Sequence, residues 1–496
     1  MGELTRRAIL LAGGGIIGGI AGAKLSAKKP SLSGTRSLQP AGAPNTLNDA
    51  SQLSETPIFR HTVAVENPGD VLVDAIRREI TEASENKRAF NIGAARHSMG
   101  GHAIPSNGHA MTFENGFTQY RSRSNTYRAH AGARWSDVIA TLDPLGFGPK
   151  VMQSNNDFGV AATFCVNAHG WPAPHGPMGS TVRSLFIVRP DGELVRCSRT
   201  ENAPLFFATM GGYGLTGAII ELELDVEPNV NLEPTFLKIP AQEFAQFFVG
   251  AIDSGDVNMA YGRLNVDRDT FFEDAMLVTY GPAADQSVIV PAQGSGTLSQ
   301  LSRHVFRAQV NNEIAKDARW WFETGLGPMI SDGVVTRNSL LNEPVVTLDD
   351  NDPTRTDILH EYFVPPGRFN DFITACQEVI PSSYQELLNI TLRYVAADSE
   401  SILSYAPAPR IACVMLFSQE LTQRAEADHE RMTRDLIDRV LDLGGTYYLP
   451  YRPHATLDQF RRAYPNAEKF VEEKKFYDPD LVFRNGFWDR YLADMA

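Results

Sequence analysis

The sequence has few cysteines, no excess of positive charge and no internal repeat, and each absence narrows what the protein can be. Its 496 residues include four cysteines, Cys165, Cys197, Cys376 and Cys413, without the paired spacing of a zinc site, so we expect no metal. Their even number would allow disulfides outside the cytoplasm, but free buried thiols are the favoured interpretation. The formal net charge is -14 with no basic stripe, which argues against a nucleic-acid partner.

The composition that remains, 43% hydrophobic and 21% charged, is typical of a globular protein too long for a single core. Residues 57–230 mix helical patterns such as "DVLVDAIRREITEASENK" with short strands and a hairpin at Asp191-Gly192. Residues 231–445 alternate strands such as "ILHEYFVP" with helices such as "RAEADHERMTRDLIDRVLDLG". Residues 446–496 are amphipathic and aromatic, and we expect them to return to the first domain. The sequence therefore predicts two α+β domains.

The amino terminus, residues 1–27, has the pattern of an export signal. A charged start containing Arg6 and Arg7 precedes a short apolar, glycine-rich stretch and small residues at 21–23. The paired arginines resemble a twin-arginine signal, which exports proteins already folded, although the usual downstream Phe and Lys are absent. An ordinary secretory signal and an uncleaved anchor are the alternatives. We expect a periplasmic or secreted protein without a membrane span after cleavage, a linker over 28–56, and ordered structure from about Pro57.

Three glycine-bearing segments lie in the first domain, at residues 91–104, 155–171 and 211–220. Glycine allows the backbone to approach a ligand closely, and main-chain amides exposed in this way bind phosphate groups. The first segment, "NIGAARHSMGGHAI", also contains His97. A neutral imidazole at such a place is a nucleophile within reach of a bound ligand.

In this order, the segments resemble the FAD-binding domain of the vanillyl-alcohol oxidase (p-cresol methylhydroxylase) superfamily. "ARHSMGGHA" resembles its pyrophosphate loop, "VAATFCVNAHG" its flavin-passing segment and "GGYGLTGAII" the loop before its closing strand. The resemblance covers most of residues 57–228. It implies a two-part FAD-binding domain, a second α+β substrate domain built on an antiparallel sheet, and FAD as cofactor. The cofactor contacts that it implies are Ala95, Arg96, His97, Ser98, Met99, Gly100, Gly101, Gly159, Val160, Thr163, Asn167, Gly217 and Ile219.

The resemblance also implies a covalent bond, since the matching histidine in several branches is joined to the 8α carbon of the flavin. His97 occupies that position, and the alternative is a turn histidine that only hydrogen-bonds the cofactor. Asp157 stands where some branches have a second, cysteine link, so we expect one bond and a packing role for Cys165. His102, outside the triplet, is expected at the surface.

The second domain resembles the aldonolactone and alditol oxidase branch in "EYFVP" and "TLRYVAADSESILSYAP". A Glu-x-Arg pair faces the flavin in that branch, and here Thr391 replaces the acid while Arg393 keeps the base. The resemblance implies that Arg393 stabilises the reduced flavin or orients a substrate hydroxyl; a solvated strand-edge arginine is the alternative. His169 is expected either to hydrogen-bond the substrate or flavin, or to support the cofactor's adenine side.

The segment "YLPYRPHATLDQF" offers further candidates for substrate binding and proton removal, Tyr451, Arg452 and His454. Tyr451-Arg452 resembles the pair with which para-phenol oxidases of the superfamily bind a phenolate. The same segment also resembles the ending of decaprenylphosphoryl-ribose oxidases, and the two alignments stay open.

Together these features predict an exported FAD-dependent oxidoreductase. The expected substrate is a polyol, an aldose or another small alcohol, oxidised at a CH-OH group by hydride transfer, with oxygen or another electron acceptor as partner. A para-hydroxybenzylic alcohol or phenol oxidase is the first alternative. A flavin-binding protein without turnover is the second.

The export prediction can be tested by replacing both arginines, Arg6→Lys with Arg7→Lys. If the twin-arginine interpretation holds, folded yellow protein should accumulate in the cytoplasm, measured by fractionation and flavin absorbance. Unchanged export would indicate an ordinary signal.

Overall fold

The computed structural model describes residues 35–65, 69–294, 307–326, 328, 333–344 and 352–496. Over these ranges the chain forms three sheets of three or more strands packed with helices, which confirms the predicted α+β class. The predicted export signal lies outside the described residues. Within those same ranges, no helix combines the length and apolar character that crossing a membrane requires.

A small parallel sheet of order β3-β5-β4 begins the first half of the protein. Its strands are β3 (Arg60–Ala64), β4 (Phe90–Ile92) and β5 (His109–Phe113), and helix α1 (Asp70–Glu85) connects the first two. Apolar residues of α1 recur at helical spacing and are buried, so the helix packs with one face against the core. These residues are Leu72, Val73, Ile76, Ile80 and Ala83.

A six-stranded antiparallel sheet completes the first half, with the order β10-β9-β11-β7-β6 and with β8 paired to β11. Strands β9 and β10 form a hairpin that turns at Gly192, whose φ of 81° is left-handed. The sequence predicts a turn at this position. The strands are β6 (Thr118–Arg121), β7 (Thr126–His130), β8 (Phe147–Pro149), β9 (Val182–Val188), β10 (Leu194–Ser198) and β11 (Ala218–Pro228). The helices are α2 (Trp135–Leu142), α3 (Val160–Cys165) and α4 (Ala203–Thr209).

The second half is built on an eight-stranded antiparallel sheet of order β15-β12-β14-β13-β17-β18-β16-β19. The strands are β12 (Asn231–Pro240), β13 (Met259–Leu264), β14 (Asp274–Pro282), β15 (Val335–Thr336), β16 (Arg355–Val364), β17 (Glu386–Val395), β18 (Arg410–Glu420) and β19 (Thr446–Tyr447). The helices are α5 (Phe244–Asp253), α6 (Glu313–Trp321), α7 (Arg337–Leu341), α8 (Phe369–Val379) and α9 (Gln423–Asp442).

The two faces of the eight-stranded sheet have different partners. Side chains of α5, α8 and α9, among them Phe248, Phe372 and Leu436, share one hydrophobic core with one face. Residues of the opposite face, including Met276 and Val278, belong to the core of the first half. This second face therefore meets the half that contains the glycine segments.

Residues 35–57 belong to the folded structure, although the sequence predicts a linker over 28–56 and order from about Pro57. Strand β1 (Thr46–Leu47) pairs with β2 (Thr56–Pro57), and Asp49 is buried. The Leu38 amide donates to the carbonyl of Leu421 at 2.9 Å. The segment is ordered by polar contacts with other elements rather than by an apolar face of its own, so its composition gave no sign of order.

The carboxy-terminal residues, 446–496, contact the first half. They include helices α10 (Leu457–Ala463) and α11 (Ala467–Tyr477). After α11, the Val482 carbonyl accepts from the amide of Phe90 in β4 at 2.7 Å. The four cysteines are free, as expected, and all except Cys165 are fully buried.

A buried ion pair anchors this carboxy-terminal segment and can be tested by mutation. Lys474 on α11 pairs with Asp478, whose carboxylate also accepts the amides of Val482 and Phe483 at 2.9 and 2.8 Å. Lys474→Ala would leave a buried charge unpaired, which costs about 3–5 kcal/mol. We expect a clear fall in the thermal unfolding midpoint measured by calorimetry. Lys475→Ala, at the exposed neighbouring position, is the control; equal midpoints for the two variants would contradict a stabilising role for the pair.

Candidate active site

Residues 93–103, here called the glycine loop, form the first part of the connection between β4 and β5, which runs over 93–108. The Gly93 amide donates to the carbonyl of Met111 at 2.9 Å, and the Met99 amide donates to the carbonyl of Pro450 at 2.7 Å. The loop is thus fixed at one end by the parallel sheet and further along by the carboxy-terminal segment.

The amino-terminal segment and the carboxy terminus meet at the other end of the glycine loop. The Gly101 amide donates to Oδ2 of Asp49 at 2.8 Å, and the Gly101 carbonyl accepts from the Gly486 amide at 3.0 Å. Gly101 has a φ of 69°, so the position favours glycine.

The middle of the glycine loop has free backbone donors. The amides of Ala94, Ala95, Arg96, His97 and Ser98 donate to no acceptor in the described part of the chain. Residues 94–98 are exposed or half-buried, so these amides can reach a ligand, and a run of free amides forms a site for an anion. This loop therefore fits the pyrophosphate of FAD, as the resemblance implies.

The His97 ring is half-buried and stacks on Phe158, with ring centroids 4.2 Å apart. Burial lowers the pKa of His97; Asp157 opposes the shift and Arg134 adds to it. The imidazole is therefore neutral at neutral pH, which is the form that a nucleophile needs.

The second glycine segment lies directly against the glycine loop. A Cβ atom on Gly159 would lie 3.3 Å from the Cβ of Ala94, so the two chains approach closely at this point. Val160 is fully buried, and the Thr163 hydroxyl accepts from Trp135 Nε1 at 3.0 Å. These side chains face the protein, and the Val160 and Thr163 amides are also bonded within it, to the carbonyls of Ala133 at 2.9 Å and Gly159 at 3.0 Å.

Asn167, another predicted cofactor contact, lies at the far end of the same segment. Its amide group donates to Asp398 at 3.0 Å and accepts from the Gly179 amide at 2.9 Å. Of the third segment, Gly217 begins β11 with a φ of 150°, and a Cβ there would lie 2.6 Å from the Val188 carbonyl. Ile219 is buried in the same strand, so these positions support the fold around the glycine loop.

A buried group of polar side chains lies where the second segment meets the eight-stranded sheet. His169 Nε2 hydrogen-bonds the carboxylate of Glu361 on β16, and both side chains are almost fully inaccessible. The Tyr451 hydroxyl hydrogen-bonds the same carboxylate. Burial raises the pKa of Tyr451 well above its ordinary value, as does Glu361, so the hydroxyl stays protonated. His169 Nδ1 is buried and has no partner among the described residues.

The sequence did not identify Glu361, an acid that lies on the same face of the sheet as Thr391. In the sheet register, Val414 on β18 lies opposite Glu361 on one side and opposite Thr391 on the other. Glu361 is therefore two strands from Thr391, or about 10 Å across the sheet. The available signal was an acidic residue within the apolar strand "EYFVP", which a solvated position would not explain.

Arg393 joins this group from β17. Its Nη2 donates to Ser154 Oγ at 2.7 Å, and the same hydroxyl accepts from Trp171 Nε1 at 2.6 Å. Burial lowers the pKa of Arg393 and Glu361 opposes the shift; the guanidinium remains cationic at neutral pH. The structure thus brings together three of the predicted positions, His169, Arg393 and Tyr451, around Glu361, with Arg393 at the interior face rather than at a solvated edge.

Arg452 and His454, also predicted to contact substrate, lie in a different cluster. Arg452 Nη2 pairs with Glu426 on α9 at 2.5 Å, and its Nη1 donates to the Met99 carbonyl at 3.1 Å. His454 Nε2 lies 3.1 Å from the same carboxylate, next to the buried ring of His360. Both residues brace the glycine loop from behind and do not join Tyr451.

His102 is buried, whereas the sequence predicted a surface position. Its ring packs between Tyr213 and Phe487, and burial lowers its pKa to about 3. The returning carboxy-terminal segment covers it, which local sequence around the histidine does not reveal.

Comparison with known proteins agrees with this geometry. Residues 71–198 match the FAD binding domain family. The chain is 26% identical over 156 residues to Cytokinin dehydrogenase 1 of Arabidopsis thaliana, covering 30% of this chain and 27% of that protein. It is 32% identical over 119 residues to Cytokinin dehydrogenase 6 of Oryza sativa subsp. japonica, covering 22% and 23%. Cytokinin dehydrogenase 9 of the same plant is 27% identical over 179 residues, covering 34% and 33%.

These matches confirm the FAD-binding fold, and FAD is the cofactor of this protein. The chain spans only 27%, 23% and 33% of the lengths of these three relatives. None of the three relatives is an aldonolactone or alditol oxidase by name, so that branch stays a prediction.

Cofactor binding by the glycine loop can be tested at Gly101. A β-branched residue in the left-handed region is strained, so Gly101→Val should distort the loop and reduce the ratio of FAD to protein several-fold. The ratio is measured from absorbance at 450 and 280 nm. Gly250→Ala, in a helix where an added Cβ meets nothing within 4 Å, is the control. Full FAD content in Gly101→Val would show that the loop conformation is not needed.

Proposed function

We propose that the protein is an exported FAD-dependent oxidoreductase that oxidises the CH-OH group of a small alcohol, such as a polyol or an aldose. The observation that carries the proposal is the buried group of His169, Glu361, Tyr451 and Arg393 beside the FAD-binding segments. Bound FAD supplies the acceptor for the hydride that leaves the substrate carbon. Oxygen or another electron acceptor completes the cycle.

His169 and Glu361 provide what the removal of a hydroxyl proton requires. Loss of hydride from a CH-OH carbon leaves a carbonyl only if the hydroxyl proton also departs, and a positioned base accelerates this step. His169 Nδ1 has no protein partner among the described residues and can accept the proton. Glu361 orients the ring through Nε2 and stabilises the imidazolium that forms, as a carboxylate does in other histidine-carboxylate pairs.

Tyr451 contributes a hydrogen-bond donor to the site, and Arg393 contributes a positive charge. The protonated hydroxyl of Tyr451 fixes the Glu361 carboxylate, so that the carboxylate is shared rather than free. The cationic Arg393 favours negative charge that develops beside it during reduction, and Ser154 fixes its position. We assign proton removal to His169, orientation to Glu361 and Tyr451, and charge stabilisation to Arg393.

We also propose that His97 binds FAD covalently through the 8α carbon. Its neutral imidazole and its place beside the free amides of the glycine loop support this assignment. Asp157 occupies the position of a second link, so a single bond is proposed.

Two alternatives are distinguishable from the main proposal. A para-hydroxybenzylic alcohol oxidase would pair Tyr451 with an arginine at the phenolate, but Arg452 is committed to Glu426 and to the Met99 carbonyl. A flavin-binding protein without turnover has no need of a buried histidine-carboxylate pair. The relatives are named for cytokinins, and the part of each that matches is too short to transfer that substrate.

Anaerobic reduction of the purified protein tests the proposed function. A polyol or an aldose should bleach the flavin absorbance at 450 nm, whereas para-hydroxybenzyl alcohol and a cytokinin should not. Glu361→Gln should slow this reduction by about 100-fold or more, since it removes the charge that supports the base. Glu378→Gln, at an exposed helix position, is the control. Bleaching by none of the alcohols would overturn the proposal.

The covalent link is tested separately by denaturation. Acid-precipitated parent protein should stay yellow, and the tryptic peptide His97–Arg121 should carry the mass of the flavin. His97→Ala should still fold and bind FAD, because the free amides remain, but should release it on denaturation. Free FAD in the supernatant of the denatured parent would exclude the bond and leave the flavoprotein assignment intact.

A further inference from the structure

Two arginines lie side by side on the sheet face that meets the first half. In the register of β13 and β17, Arg263 lies opposite Thr391. Arg393 follows Thr391 by two residues, and alternate residues of a strand share one face. Arg263 and Arg393 are therefore diagonal neighbours on the face that also carries Glu361.

Neither guanidinium forms an ion pair with a carboxylate in the described part of the chain. Arg263 Nη1 donates to the Thr391 hydroxyl at 2.6 Å, and its guanidinium lies 5.3 Å from the centroid of the Tyr261 ring. Arg393 donates to the Ser154 hydroxyl, and its Nε is buried without a partner among the described residues. Two adjacent positive charges that are hydrogen-bonded only to neutral hydroxyls repel each other, and an anion between them would remove this repulsion.

The acidic residues around the pair have other partners. Glu323 on the neighbouring helical segment is bound by Arg319 at 2.7 Å. Glu361 is bound by His169 and by Tyr451. The charge of Glu361 acts on Arg393 over a distance, but no carboxylate of the described residues forms an ion pair with either arginine.

An arginine with a purely structural role has different hydrogen-bond partners in this protein. Arg337 is fully buried, and it donates to the backbone carbonyls of Pro149 and Lys150, both at 2.7 Å. Its donors are satisfied within the fold. Arg263 and Arg393 instead keep donors free on one face, as a binding site requires.

The arginine pair and the proton-accepting group share one wall. Trp171 follows His169 by two residues, and its ring lies 4.8 Å from that of Tyr261, which is next to Arg263. The indole nitrogen of Trp171 donates to Ser154, the residue that positions Arg393. The charge of Glu361 acts on Arg393, and Arg263 is the diagonal neighbour of Arg393, so the arginine pair lies on the same sheet face as the partner of His169.

We propose that Arg263 and Arg393 bind a carboxylate of the substrate, so that the substrate is an alcohol that also carries a carboxylate, a hydroxy acid or sugar acid. The guanidinium fork matches the two oxygens of a carboxylate and binds it by paired hydrogen bonds. This inference rests on the proposed oxidation of a CH-OH group and narrows its substrate class. Arg263 is the residue that distinguishes an acidic substrate from a neutral polyol.

Anaerobic reduction by three matched alcohols, glycerol, glycerate and glycerol phosphate, tests the substrate class. Glycerate should reduce the bound FAD with a higher kcat/KM than the other two. Arg263→Met should lower the ratio of kcat/KM for glycerate over glycerol by about 10- to 100-fold, the effect of losing a charge-assisted hydrogen bond, and Arg263→Lys should restore part of it. Arg368→Met, at an exposed position, should keep the parent ratio.

The other outcomes separate this inference from the proposed function. Equal reduction by glycerol and glycerate, or a preference for glycerol phosphate, would overturn the carboxylate site while leaving the oxidation of alcohols in place. An Arg263→Met variant with the parent ratio would do the same.

Binding of an unreactive anion provides a test that does not depend on turnover. Oxalate has no C-H bond to oxidise, and oxamide is its neutral counterpart of similar shape. Titration of the parent holoprotein should perturb the flavin absorbance with oxalate and not with oxamide, and Arg263→Met should weaken oxalate binding about 10-fold or more. If no alcohol reduces the FAD but this difference is observed, the proposed function fails and the anion site stands. Equal binding of oxalate by parent and variant would overturn the site.

Discussion

The buried carboxylate of Glu361 joins the two halves of this protein. It accepts from His169, which belongs to the FAD-binding half, and from Tyr451, near the carboxy terminus. A carboxylate removed from water is strongly destabilised unless several donors surround it, so the two halves must be docked before this charge is tolerated. The same interaction that closes the protein also orients the imidazole. Stability of the interface and readiness for proton transfer therefore depend on one side chain.

The eight-stranded sheet makes this arrangement possible because its two faces are chemically different. Helices cover one face with aromatic and aliphatic side chains such as Phe248 and Phe372. The opposite face presents Glu361, Arg393 and Arg263 at alternating positions of neighbouring strands. A rigid sheet separates these groups by fixed multiples of the strand spacing. The polar groups are thus held at fixed positions on one face, although the chain as a whole is acidic.

The glycine loop and the FAD cofactor could be predicted from sequence, because binding by this loop depends on its local backbone conformation. The roles of side chains were harder to predict, since His169 and Glu361 are 192 residues apart. Tyr451 was predicted and lies in the site, while its neighbour Arg452 faces Glu426, because successive residues of an extended segment point in opposite directions. Glu361 and Arg263 were missed because strand order cannot be read from sequence spacing. The burial of His102 follows from the returning carboxy terminus, which is equally remote in sequence.

The contact between Gly101 and Gly486 has a consequence for how the protein is made. The ribosome synthesises Gly101 long before Gly486, whose amide donates to the Gly101 carbonyl. At the usual rate of translation, these two events are separated by on the order of tens of seconds. During that interval the FAD-binding half can form its own sheets while the loop lacks its closing contact. A nascent chain that stalls before Gly486 would therefore lack the hydrogen bond that fixes this end of the glycine loop.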